Sequence, residues 1–241
     1  MSRDERPLAQ VPAAVWLALA AALVAQLGWR TLQVPAAPAA ADLPAAPSVS
    51  ALQLASLGEP QALARVTMLY LQAFDYGGTN ANAYGKLDYT RLTGWLQAIL
   101  ELDPRSDYPL FAAARVYAET PDPRNSRAAL EFVYRQFLAD PDRRWPWLAH
   151  AALLAKHRLH DLPLARRYAA AIARHVHSPA VPLWAKQMEI FILEDMNELE
   201  AARILLGAML ESGAIQDPAE ARFLRLRLEE LERRLAQTRK P

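Results

Sequence analysis

The chain has no cysteine. Disulfides, thiolate metal sites, a cysteine nucleophile and a lipid-modified N-terminal cysteine are excluded together. Glycine is scarce, at 8 in 241 residues. No GxxxxGK[ST], GxGxxG or GxSxG occurs, so the glycine-dependent phosphate cradles and nucleophile elbow are missing. Gly77-Gly78 lies in a polar stretch and is ordinary turn chemistry. An excess of one charge is lacking too. The 27 Lys+Arg and 26 Asp+Glu leave a net charge of +1, whereas a dedicated nucleic-acid binder carries a strongly basic footprint. The carboxylates of Glu194-Asp195 and Glu198-Glu200 fall in a solvated helix–turn–helix, with nothing to keep one protonated and another ionised. The expectation is a protein that is not an enzyme, has no cofactor and binds no nucleic acid.

Apolar residues are plentiful at 53%, enough for a sizeable core. Abundant Ala, Leu, Arg and Glu favour helices. One run stands apart. Residues 11–29, VPAAVWLALAAALVAQLGW, carry no charge. A helix of that length spans about 28 Å, close to the thickness of a hydrocarbon core. Arg3 and Arg6 precede it, and Asp4 and Glu5 count little in the positive-inside rule. Residues 1–10 are therefore expected in the cytoplasm, 11–29 as a transmembrane signal anchor, and the remainder on the periplasmic side of a bacterial inner membrane. The competing assignment is a cleaved signal peptide, but the Ala-x-Ala site at Ala39–Ala41 lies far beyond the apolar stretch. Residues 30–50 read as an Ala/Pro-rich linker. Within it, 36–47 (AAPAAADLPAAP) holds seven Ala and three Pro, the composition of a semi-extended spacer. Residues 51–241 form the folded domain.

That domain is punctuated. Asp103-Pro104, Asp140-Pro141, Ser178-Pro179 and Asp217-Pro218 recur at spacings of 37, 38 and 39 residues. Each pair offers a capping oxygen and then a proline suited to a first helical position. Bulky apolar residues follow each proline: Leu110 and Phe111, then Trp147, Trp184 and Phe223. Each period divides into two helices, for example 145–159 and 162–175, then 181–194 and 198–212. Upstream, 60–74 and 87–102 form an earlier pair around a longer loop. Short connections make antiparallel hairpins that must stack to bury their apolar faces around one continuous core. The closing helix carries Leu224, Leu228, Leu231 and Leu235 as one stripe, which suits a cap on the stack or, alternatively, a self-assembly surface.

At these residues the chain resembles the tetratricopeptide-repeat (TPR) family. Trp147, Ala149, Ala165 and Pro179 follow that family's order of aromatic, small residue, alanine opening the second helix and closing proline; Trp184, Ala201 and Pro218 follow it again. The units are longer than the family's repeat of about 34 residues. The resemblance implies an all-α fold, a right-handed α-solenoid of stacked antiparallel helix hairpins. It also implies a scaffold or adaptor role, binding protein partners and assembling or stabilising envelope complexes.

Charge alternates along the repeat. Residues 141–175 carry a net +5 and residues 187–220 a net −7. Arg143, Arg144, Arg166 and Arg167 are the candidate wall of a basic groove for an acidic peptide or other anionic partner. Tyr76 and Tyr84 lie in the longer loop and are candidate docking residues. His157 and His160, with Glu194 one unit later, form a conceivable zinc set. The plainer assignment of HRLHD is a helix end and its turn, so no metal is expected.

Overall fold

The computed structural model describes residues 12–32, 43–74, 83–213, 215 and 217–238. Among them every regular element is helical and no strand occurs, so the fold is all-α. The α-helices are α1 (Ala13–Leu32), α2 (Val49–Ala55), α3 (Pro60–Ala73), α4 (Tyr89–Leu102), α5 (Tyr108–Arg115), α6 (Pro123–Ala139), α7 (Pro141–His157), α8 (Leu162–His175), α9 (Leu183–Asp195), α10 (Leu199–Glu211) and α11 (Pro218–Thr238). The chain divides into two units, 1–41 and 42–241. In the first, α1 is rich in alanine, and its described side chains are exposed. Among the described residues no helix is long and apolar enough to cross a membrane.

In the second unit, aspartates fix several helix starts by accepting backbone N–H groups that the first turn leaves unbonded. Asp88 accepts from Thr90 and Arg91 at the head of α4. Asp122 accepts from Arg124 at α6, and Asp161 from Leu164 at α8. The recurrent prolines divide in role. Pro141 and Pro218 head α7 and α11. Pro104 and Pro179 do not head helices: they sit in turns held by Asp103 and Ser178, which accept from Arg105 and Ala180. The turns after α7 and α9 place His160 and Asn197 in the left-handed region (φ 52° and 60°). The next N–H then bonds back into the finished helix, Asp161 to Ala155 and Glu198 to Leu193. α5 stops at Arg115, and the chain tightens into a 3-10 turn at Tyr117–Glu119. That turn buries Tyr117, and its carbonyl accepts the Tyr89 hydroxyl at 2.8 Å.

Consecutive helices pack as pairs: α3 with α4, α5 with α6, α7 with α8, α9 with α10. Each pair packs on the next, and α11 closes on α10. Contacts between helices one unit apart run through the domain. Phe111 of α5 meets Trp147 of α7 at 5.9 Å, Tyr134 of α6 meets Tyr168 of α8 at 5.4 Å, and Trp145 of α7 meets Trp184 of α9 at 5.5 Å. Side-chain hydrogen bonds join residues 33 to 40 apart, from Glu194–Arg227 to Asp107–Trp147.

The core departs from the expected single seam. One cluster runs from Leu43 to Ile192, and a second joins Ile190 and Leu193 to Leu199, Ala202, Leu206, Leu224 and Leu231. α9 is the wall between them, because its apolar residues lie on both sides: Ala185, Met188 and Ile192 face one cluster, Ile190 and Leu193 the other. The stripe of α11 is used here, with Leu228 and Leu235 packed beside Leu224 and Leu231. Its leucines are therefore committed to this chain's own core.

The end of the Ala/Pro segment also differs from a plain spacer. Leu43 is 2% exposed. Its carbonyl accepts from Arg91 at 2.8 Å, and the Pro44 carbonyl accepts from the Trp95 indole at 2.8 Å. Ser48 then caps α2, a short helix that buries Leu52. Residues 43–48 are thus a strap bound along α4.

Candidate partner-binding surface

α6 presents Arg124, Arg127, Glu131 and Arg135 at intervals of three to four residues, which puts them on one face of the helix. Two open cavities adjoin there. One, of about 560 Å³, lies between α6 and α8 and is lined by Arg124, Arg127, Glu131, Leu164 and Arg167 among others. The other, of about 580 Å³, lies between α4 and α6 and is lined by Asp88, Tyr89, Thr93, Arg124, Glu131 and Arg135 among others. Arg124, Ala128 and Glu131 belong to both, so the two form one trough across three second helices of successive hairpins.

The trough is basic in net sense, with four arginines against Asp88 and Glu131 in its lining. Two arginines are engaged. Arg127 pairs with Asp161 at 2.5 Å. Burial of the Asp161 carboxyl pushes its pKa up, but the Leu164 N–H and Arg127 outweigh this and hold it below the usual carboxylate value. Arg167 pairs with Glu131 and lies over the rings of Tyr134 and Tyr168, at 4.8 and 5.2 Å. Burial opposes the charge of Arg167, yet the adjacent Glu131 holds the guanidinium charged. Burial first, and then Glu131, pushes the Tyr168 hydroxyl well above its ordinary pKa, so it remains a neutral donor. Arg124 and Arg135 are exposed and have no carboxylate partner among the described residues.

Of the arginines singled out from the sequence, one alone reaches this surface. Arg167 lines the trough. Arg143 pairs with Asp140 at 3.1 Å and also bonds the Pro104 carbonyl. Arg144 is 6% exposed and donates to the Gln136 carbonyl and to Pro104, clamping the turn after α4 onto the junction of α6 and α7. Burial, with Arg143 next to it, lowers the pKa of Arg144. Arg166 turns to Glu189 of α9 at 3.3 Å. Tyr76 lies outside the described residues; Tyr84 sits in a 3-10 turn at Ala83–Lys86, and its side chain is outside them. Arg124, Arg127 and Arg135 are not among the arginines singled out from the sequence. The visible signal was their stripe on α6, hidden because an amphipathic helix normally carries charges outward.

The histidine pair and Glu194 are not gathered. His160 is the left-handed turn residue after α7. Glu194 is buried, not solvated as expected, because Arg227 of α11 holds it. Among the described residues no group of three His, Asp or Glu is placed to hold a metal ion.

A second surface runs along the first helices. Of the bulky residues that follow the prolines, Phe111, Trp184 and Phe223 are exposed, Trp184 by 50% and Phe223 by 54%, while Trp147 is partly buried against the core. The interior is taken by small residues, Ala112, Ala113, Ala149, Ala152 and Ala185. Helices brought this close leave no interior room for an indole, which packs at the rim instead.

No family model matches the chain, and neither a curated protein nor a solved structure matches it.

Proposed function

We propose that this chain is a membrane-tethered adaptor: a TPR-like right-handed α-solenoid, held to a bacterial inner membrane by residues 11–29, that binds an acidic segment of a protein partner. On this proposal the N-terminus is cytoplasmic and the folded unit periplasmic, where it assembles or stabilises envelope complexes without catalysing a reaction. The tether rests on the uncharged run 11–29 and on the exposed apolar side chains of α1, which need an apolar medium. The solenoid rests on side-chain contacts between helices one unit apart.

One observation carries the binding role. The trough over α4, α6 and α8 is concave and holds two exposed arginines, Arg124 and Arg135, without carboxylate partners among the described residues. Cations left unpaired in a concave site favour an anionic ligand and steer its approach. A photo-crosslinking residue at position 128, between them, tests this in the membrane-bound chain. It should capture one partner protein, and Arg124→Glu with Arg135→Glu should abolish that capture. Capture that survives both charge reversals removes the trough from the proposal. A reporter fused after residue 50 tests the topology; activity only in a cytoplasmic reporter overturns the periplasmic assignment.

A further inference from the structure

We propose that Glu131 is a built-in occupant of the trough, holding Arg167 until a carboxylate of an acidic partner segment displaces it. The inference rests on the adaptor reading above and names what regulates that site. Glu131 lies where both cavities meet. Its Oε2 accepts from Arg167 and, at 3.3 Å, from the Tyr168 hydroxyl. Neither member of the ion pair is sealed off: the side chains of Arg167 and Glu131 are 46% and 34% exposed. An exposed pair of this kind is weak, and a competing carboxylate can exchange into it.

The geometry keeps the vacated site ready. Arg167 is positioned by two tyrosine rings as well as by Glu131, so its planar fork stays in place when the carboxylate leaves. Arg124 and Arg135 flank Glu131 on the same face of α6. Along the helix they are about 16 Å apart. An extended segment of about five residues covers that distance, with alternate side chains facing the trough. The occupant is therefore a short extended peptide with acidic residues at alternate positions. Its carboxylates meet Arg124 and Arg135 directly and take Arg167 from Glu131.

The test uses the full-length chain in neutral detergent and a fluorescein-labelled hexapeptide of alternating Glu and Ala, read by fluorescence anisotropy. Glu131→Gln removes the competing charge, and binding should tighten about fivefold, the upper worth of an exposed ion pair. Glu229→Gln makes the same change of net charge on an exposed position of α11 and should leave binding unchanged. Arg124→Ala with Arg135→Ala should weaken it about tenfold or more. If the arginine variants weaken binding while Glu131→Gln does not tighten it, the trough stands and the role of Glu131 is overturned. If the peptide fails to bind, or the arginine variants have no effect, the adaptor site falls and this inference with it. Equal tightening by Glu229→Gln means bulk charge and overturns the proposal. Inorganic phosphate, or vesicles of phosphatidylglycerol, binding more tightly than the peptide would reassign the occupant. Should Glu131→Gln not fold, Glu131→Ala carries the same expectation.

Discussion

Glu194 of α9 and Arg227 of α11 form a two-pronged pair across one unit: Arg227 Nε donates to Oε1 at 3.0 Å and Nη2 to the other oxygen. The Glu194 side chain is 5% exposed, and Arg234 lies 3.7 Å away. That hydrogen-bonded carboxylate holds Arg227 more firmly charged than a free arginine. Removing one member of a buried pair costs more than the pair is worth, because the other is left without compensation. Arg227→Ala should lower stability by about 1–3 kcal/mol, less than a fully buried pair because Arg234 remains and Arg227 is partly solvated. Chemical denaturation measures it. Glu194→Leu added to Arg227→Ala should recover part of the loss; no recovery would show that the effect came from the arginine's aliphatic stem.

His160 occupies a left-handed conformation, φ 52°, that costs any residue with a Cβ and suits glycine. His160→Gly should stabilise the protein by about 0.5–1 kcal/mol. Asn197→Gly should change little, because asparagine already tolerates that region. Thermal melts of both variants decide. Destabilisation by His160→Gly would mean that the imidazole makes an interaction the turn needs.

Asp142 stitches α7 to the turn before α9, accepting from the His177 and Ser178 N–H groups at 2.7 and 2.8 Å. The Ser178 bond, then the His177 bond, lowers its pKa. A carboxylate depressed in the folded state stabilises the fold above its unfolded value, about 3.9, and that contribution is lost as the pH falls through the folded value. Asp142→Asn should therefore melt at a lower temperature than the parent at pH 7 and at pH 5. The two curves should converge as the pH falls through the folded value. A gap that persists undiminished in acid contradicts the charge-based account.

Leu43 tests the strap. If residues 43–48 belong to the folded unit, Leu43→Ala opens a cavity against α4 and costs about 2–4 kcal/mol. A spacer would tolerate the change without effect. Denaturation of the full chain, with limited proteolysis near residue 48 as a second readout, separates the two.

Much of the helical plan is legible in the sequence. α8 and α11 begin where apolar spacing and local punctuation place them, because capping and helical periodicity are decided within a few residues. Pro104 and Pro179, expected at first helical positions, lie in turns, because a proline suits a turn as well as a helix start. The strap was hidden for another reason. An Ala/Pro stretch has no periodicity, and its binding depends on Arg91 and Trp95 more than forty residues away.

The sequence by itself determined the all-α class, the proline-marked period, the uncharged run near the N-terminus and the absence of glycine- and cysteine-dependent chemistry. All are properties of residue type and short-range spacing, the last being a lack of cysteine and of glycine-rich motifs. Tertiary structure alone decided which arginines are engaged: Arg143, Arg144 and Arg166 are taken up by neighbouring elements, while Arg124 and Arg135 face an open trough. The physical reason is one of range. A charge pair is made or missed over a few ångströms, and which groups come within that distance depends on how one hairpin seats on the next, a register set by core contacts between residues about one repeat apart.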